Sequence, residues 1–140
     1  MKRIIIINVI ISSIFLFNSC DTPLTEYKPA NEDEKQIVDL LQKYTDTRNS
    51  VDIKGIRSTF HDDGIYYKGM GGELKASDIE SADPEIWSRA GKLKMTDPDI
   101  KINGEEALVS VNTWYGKAKF QAAFTMVKEN GNWLIKTFRQ

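Results

Sequence analysis

The 140-residue chain contains one cysteine, Cys20, which follows an apolar run from Ile4 to Phe17. No intramolecular disulfide is open to such a chain, so whatever folds must be held by packing alone. Lys2 and Arg3 precede the run and Asn18-Ser19 closes it, the basic, apolar and polar order of a signal peptide. A membrane-spanning helix needs about 20 apolar residues for roughly 30 Å of hydrocarbon. This run is shorter and is interrupted by Asn8, Ser12 and Ser13, which favours cleavage over an uncleaved span.

The exit Phe17-Asn18-Ser19-Cys20 resembles a bacterial lipoprotein signal. That resemblance implies that residues 1–19 are removed and that Cys20 becomes the acylated first residue. The membrane would then be a partner through the lipid, and the protein would sit in the cell envelope, on the periplasmic face or the cell surface. Removing Lys2 and Arg3 from 19 basic residues leaves 17 against 20 acidic ones, a net of −3. A mildly acidic domain is a poor nucleic-acid ligand. The basic residues are scattered along the sequence, so the lipid rather than a polybasic patch is expected to supply membrane binding. Residues 20–31, polar and carrying Pro23 and Pro29, read as a mobile tether.

The folded part, 32–140, opens with Ile37, Leu40, Leu41 and Tyr44, spaced along one helical face, with Asn31 and three acidic residues at its start. Asp52 is expected to cap a second helix carrying Ile53, Ile56 and Phe60, which Asp62-Asp63-Gly64 would stop. An extended run from Ile65 to Lys68, a glycine loop at Gly69 to Gly72 and a weakly helical stretch from Ser77 to Ala90 follow. From Asp99 the period changes to two: Ile100 and Ile102, a turn at Asn103-Gly104, then Ala107, Val109 and Val111. A further strand carries Phe120, Ala122, Phe124 and Met126, and Asn130-Gly131 favours a tight hairpin into the last strand, Trp133 to Phe138. Helices first and long antiparallel strands last give an α+β fold, with helices packed on the concave face of a curved sheet.

Helix one ending in Tyr44, the junction Phe60-His61-Asp62-Asp63-Gly64-Ile65-Tyr66 and the closing Asn130-Gly131-Asn132-Trp133-Leu134-Ile135 together resemble the nuclear-transport-factor-2-like superfamily, which includes the SnoaL-like proteins. Phe60-His61, Gly71-Gly72-Glu73-Leu74 and Gly131-Asn132-Trp133 fall in the order of the branch labelled putative lumazine-binding. The resemblance covers about Glu34 to Phe138. It implies a cone-shaped, cystatin-like antiparallel sheet with a pocket between helices and sheet, and often a homodimer through the open sheet face. It does not imply a chemistry, since one fold hosts many functions.

His61 is the only histidine and the side chain best suited to proton transfer near neutral pH. Its bland reading is an imidazole at the end of helix two, complementing the helix C-terminus. Tyr44, Tyr66, Trp87, Trp114 and Phe124 are candidates for a ligand-binding wall, where aromatic rings stack on a flat molecule. Core packing accounts for them equally, and Trp133 reads as part of the fold. Asn112 and Trp114 share a strand face with Leu108, opposite Val109 and Val111, so that face is expected to meet solvent or a second subunit.

One histidine and acidic pairs without calcium-loop spacing argue against a metal site. No nucleophile elbow and no phosphate loop is present, and no cofactor is implied. The expectation is therefore a non-catalytic, lipid-anchored domain that binds a small apolar or aromatic molecule in its pocket, dimerises, or does both. One alternative is a SnoaL-like isomerase or dehydratase in which His61 or Asp63 moves a proton and Tyr44 polarises an oxygen. The other is a protein-interaction module with a vestigial pocket.

Overall fold

The computed structural model describes residues 20–140; the expected signal peptide, 1–19, lies outside the described residues. Helix α1, Glu32–Asn49, begins where Asn31 accepts a hydrogen bond from the Glu34 amide at 2.9 Å and Glu34 in turn accepts from the Ala30 amide at 2.8 Å. Three acidic residues in the first turn and Arg48 in the last complement the helix dipole. The helix runs beyond Tyr44 to Asn49, one turn further than expected. That extra turn ties α1 to the sheet: the Asn49 amide donates to the Leu93 carbonyl at 2.8 Å and its oxygen accepts from the Leu93 N–H at 2.7 Å. Asp52 caps α2, Ile53–Thr59, by accepting from the Gly55 amide at 3.0 Å.

Six strands follow: β1 Phe60–Tyr67, β2 Glu73–Lys75, β3 Leu93–Asn103, β4 Glu106–Tyr115, β5 Ala118–Glu129 and β6 Asn132–Arg139. They form one sheet in the order β2-β1-β6-β5-β4-β3. All neighbours are antiparallel except β1 and β6, which run parallel. The weakly helical stretch resolves into a 3-10 segment, Ala76–Ser81, and a single turn, α3, Glu85–Ser88, which Pro84 precedes. The sheet is curved and unclosed, and α1 lies across its inner face. Ala107, Val109, Val111, Ala122, Phe124, Met126, Trp133, Ile135 and Phe138 are buried there, as the period-two pattern predicts.

The junction between α2 and β1 departs from expectation. His61-Asp62-Asp63 does not end a helix, because the helix closes at Thr59 and the strand has begun at Phe60. Asp-Asp-Gly is a turn signal, and the chain does turn here, but inside the strand rather than at a helix end. The step from Phe60 to Ile65 on β1 is matched on β6 by the shorter step from Ile135 to Thr137, so His61 to Gly64 bulge out of register. A Cβ on Gly64 would stand 2.8 Å from the His61 carbonyl oxygen and 3.0 Å from that of Ile135. The bulge therefore needs glycine at that point.

The mobile tether expected over 20–31 is corrected for its first half. Asp97 donates its N–H to the Thr22 carbonyl at 2.8 Å, and its carboxylate accepts from the Thr22 N–H at 2.7 Å. Pro23 forms a bridge to Thr96, Asp21 pairs with Lys119 at 2.8 Å, and Leu24 is only 4 % exposed. Burial pushes the Asp97 carboxyl up, but the bonds from Thr22, Asn112 and Thr96 outweigh it and hold the group below its ordinary value. A proline-containing polar stretch has no helical period, and pairing with a distant strand leaves no local signature, so the sequence reads as linker.

The described core is built wholly from residues 24–138, so residues 20–140 carry what holds them folded. Leu24→Ala should lower unfolding free energy by about 2–3 kcal/mol in a urea titration. A segment that floated free of the domain would leave the midpoint unchanged.

Candidate functional site

The space between α1 and the sheet is where the fold places a pocket, and aromatic rings occupy most of it. Tyr44 stands edge-on to Phe60, Phe124 and Phe138, with centroids 6.0, 6.3 and 5.4 Å away. Phe124 stacks on Phe138 at 4.2 Å, and Tyr66 lies against both Phe138 and Trp87 at 5.2 and 5.3 Å. Four of the five expected ligand-binding residues, Tyr44, Tyr66, Trp87 and Phe124, thus form one cluster. Trp114 is on the opposite face of the sheet and does not join it.

Two polar atoms in this interior have no hydrogen-bond partner among the described residues: the Tyr44 hydroxyl and the Trp87 indole N–H. Leaving a buried donor unpaired costs roughly 1–3 kcal/mol. Burial, with the neighbouring Tyr66 and Tyr115 hydroxyls, drives the Tyr44 phenol well above its ordinary value despite the opposing pull of Arg48. It stays protonated at neutral pH and acts only as a neutral hydrogen-bonding group.

Arg48 is the residue that sequence reasoning missed. It is 4 % exposed, donates to the Gly91 carbonyl at 2.9 Å and lies over the Tyr115 ring at 4.9 Å. The signal was available, because Arg48 follows Tyr44 by four positions and an i, i+4 pair shares a helix face. Beside Arg48 a cleft of about 130 Å3 opens between Asn49, Val51, Trp87, Ser88 and Lys92. One aromatic wall, Trp87 with its unpaired indole N–H, and the Arg48 guanidinium therefore share one opening.

The candidate proton-transfer residues are not brought together. His61, on the β1 bulge, accepts the Asp63 N–H at Nδ1 at 3.1 Å, which leaves Nε2 to carry the proton toward Glu129, 3.2 Å away. Asp63 is exposed and lies 3.7 Å from Lys136. Tyr44 is buried among other rings, and neither His61 nor Asp63 is among its neighbours. Among the described residues, no group of three His, Cys, Asp or Glu side chains has a metal-binding arrangement.

The outer face of the sheet holds the other expected feature. Leu108 is 60 % exposed there, and a groove of about 450 Å3 runs past Lys101, Leu108, Thr125, Val127 and Lys136. Asn112, on the same face, donates to Asp97 at 2.9 Å, so its amide belongs to the anchoring of the N-terminal segment.

A profile of the family described as "Putative lumazine-binding" matches residues 32–139. The chain belongs to that family. Within the broader superfamily, it is similar to an NTF2-like protein from Cytophaga hutchinsonii, with a TM-score of 0.59 and 21 % identity over 77 % of this chain and 95 % of that one. It is also similar to a domain of unknown function with a cystatin-like fold from Nostoc punctiforme, with a TM-score of 0.65 and 17 % identity over 79 % and 76 % of the two chains. An NTF2-like protein of unknown function from Shewanella baltica gives a TM-score of 0.56 and 17 % identity over 80 % and 94 %. No curated protein matches. At these identities the likeness carries the fold, and the family a small-molecule-binding architecture, without a reaction.

Because its hydroxyl is unpaired, Tyr44→Phe should leave stability unchanged or raise it by up to about 1 kcal/mol. A thermal melt of residues 20–140 checks this. A fall of more than about 1 kcal/mol would mean that the hydroxyl has a partner.

Proposed function

We propose that the protein is an exported lipoprotein, anchored at Cys20, whose domain binds a small aromatic molecule without transforming it. The observation that carries this reading is the unpaired indole N–H of Trp87, a residue that with Arg48 lines a cleft beside the aromatic interior. The indole N–H and Arg48 only donate, so a matching ligand offers acceptor oxygens such as carbonyl or carboxylate. The volume limits its size. A cleft of about 130 Å3 is close to the roughly 150 Å3 engineered cavity that accepts benzene, so a single ring fits. Lumazine, for which the family is labelled, carries carbonyl acceptors but has two rings, and would need the cleft to widen at Ser88 and Lys92.

Catalysis of the isomerase or dehydratase kind needs an ionisable pair converging in an open cavity. His61 and Asp63 are turned to Glu129 and Lys136, away from Tyr44, which supports binding over turnover. The test is nitrogen-proton NMR of residues 20–140 titrated with benzoate and with lumazine. A saturable shift of the Trp87 indole N–H is expected, with affinity falling about tenfold in Trp87→Phe, the loss of one hydrogen bond. An indole resonance that stays fixed at millimolar ligand rejects the binder.

A second reading concerns the outer sheet face, where the exposed Leu108 and the long groove favour pairing of two copies. A stable interface buries about 800 Å2 per partner. Sedimentation velocity should show a dimer that Leu108→Glu converts to monomer. A native chain that sediments as a monomer at micromolar concentration removes this reading.

A further inference from the structure

Lysines that are scattered in sequence are gathered by the fold at the end of the sheet that carries Cys20. Lys94, Trp114 and Lys119 are direct cross-strand neighbours on β3, β4 and β5, a row roughly 10 Å long at the usual strand spacing. Lys92 lies just before β3 and Lys117 in the turn joining β4 to β5. The Lys119 ammonium sits 5.0 Å from the centre of the Trp114 ring. A hollow of about 250 Å3 opens here, bounded by Asp21, Lys92, Lys94, Trp114 and Gly116.

The acidic groups at this end are already engaged. Asp21 is paired with Lys119, and Asp97 accepts from Thr22 and Asn112. Four lysines against these two carboxylates leave a net of +2 here, whereas the mature chain as a whole carries −3. The charge distribution is therefore polar, with its positive end beside Cys20.

We propose that the Lys94–Trp114–Lys119 row is a membrane-contact surface that takes the phosphate headgroups of anionic lipids and fixes how the domain stands on the bilayer. This rests on Cys20 carrying the lipid. Because Asp21 is paired and Thr22 is bonded in both directions to Asp97, at most two residues separate the acyl chains from a backbone fixed to β3. At 3.8 Å per residue, the anchor holds this edge of the sheet against the headgroups. Two lysines flanking an indole is the composition that interfaces favour: the ring sits at headgroup depth and Lys94 finds a phosphate, while Lys119 is held beside the indole by Asp21. The acidic remainder of the domain faces away from the anionic surface, which reinforces the same orientation.

The experiment uses two forms of the mature chain. In the first, acylated protein purified from membranes is reconstituted in phosphatidylglycerol vesicles containing lipids brominated near the carbonyl, and Trp114 emission is taken by difference from Trp114→Phe. Bromine should quench Trp114, and mass spectrometry of the same sample reads acylation of Cys20 independently. In the second, unacylated residues 20–140 are floated with phosphatidylglycerol or phosphatidylcholine vesicles. Binding to the anionic vesicles alone is expected, lost in high salt and weakened tenfold or more by Lys94→Glu with Lys117→Glu, since each lysine near the surface is worth about fivefold. Circular dichroism of that double variant confirms that it is folded. An acylated chain whose Trp114 is not quenched overturns the proposal, as does an unacylated chain that ignores lipid charge. Membrane-purified protein whose mass shows no acyl group on Cys20, with residues 20–140 still floating on phosphatidylglycerol alone, would defeat the anchor at Cys20 and leave the surface standing.

Discussion

The packing of Tyr44 against Phe60, Phe124 and Phe138 joins the helical layer to the sheet, and the rest of the molecule is arranged around it. Each fully buried large side chain contributes about 1.5–3 kcal/mol of transfer free energy, and edge-to-face aromatic pairs add about 0.5–1.5 kcal/mol beyond area. A chain whose one cysteine lies outside the core must draw its stability from such contacts. The same contacts consume the space that a large ligand would need. What remains open is a small cleft at the end of α1, where the extra turn carries Arg48 and Asn49 past the aromatic seam. Stability and site thus compete for one volume, and in this protein packing has taken the larger part.

Where a residue's role depends on its near neighbours in sequence, the sequence was a good guide. The stripe Ile37, Leu40, Leu41 and Tyr44 and the alternation through Val109, Val111, Ala122 and Phe124 report which face is buried, because helix and strand have fixed periods. The caps at Asn31 and Asp52 are local in the same sense. Where the role depends on a distant strand, the sequence was silent. The parallel pairing of β1 with β6 and the bulge at His61 to Gly64 follow from contacts between residues some 70 positions apart. Asp62-Asp63-Gly64 carries a turn signal that does not say whether the turn ends a helix or interrupts a strand. Four of the five aromatic candidates met in one cluster because they lie on inward-facing positions; Trp114, of opposite parity to Val109 and Val111, did not.

Charge shows the same division. Counted along the chain, the lysines form no run, and the sequence argues for a lipid acting alone. Cross-strand registry then places Lys94 and Lys119 on either side of Trp114, and a turn and a strand start add Lys117 and Lys92. A sheet can assemble a patch from residues far apart in sequence without leaving any trace in a linear scan, which is why net charge constrains partners less than the distribution of charge over the surface.

The N-terminal segment links these two ends of the molecule. An acyl anchor on a long flexible tether would let the domain sample all orientations, and no face would be privileged. Here the segment enters the core at Leu24 and is bonded to Asp97 at Thr22, so tether length falls to one or two residues. Asp97 adopts a positive φ of 53°, a conformation costly for most residues but tolerated by Asp and Asn, and the turn it makes presents both its N–H and its carboxylate to Thr22. The register of β3 against β4 shifts at this point, between Thr96 and Asp99, so the irregularity in the strand is also the clasp for the segment. One irregularity therefore does two things: it interrupts the register of an outer strand, and it decides which end of the domain the lipid proposed on Cys20 would reach.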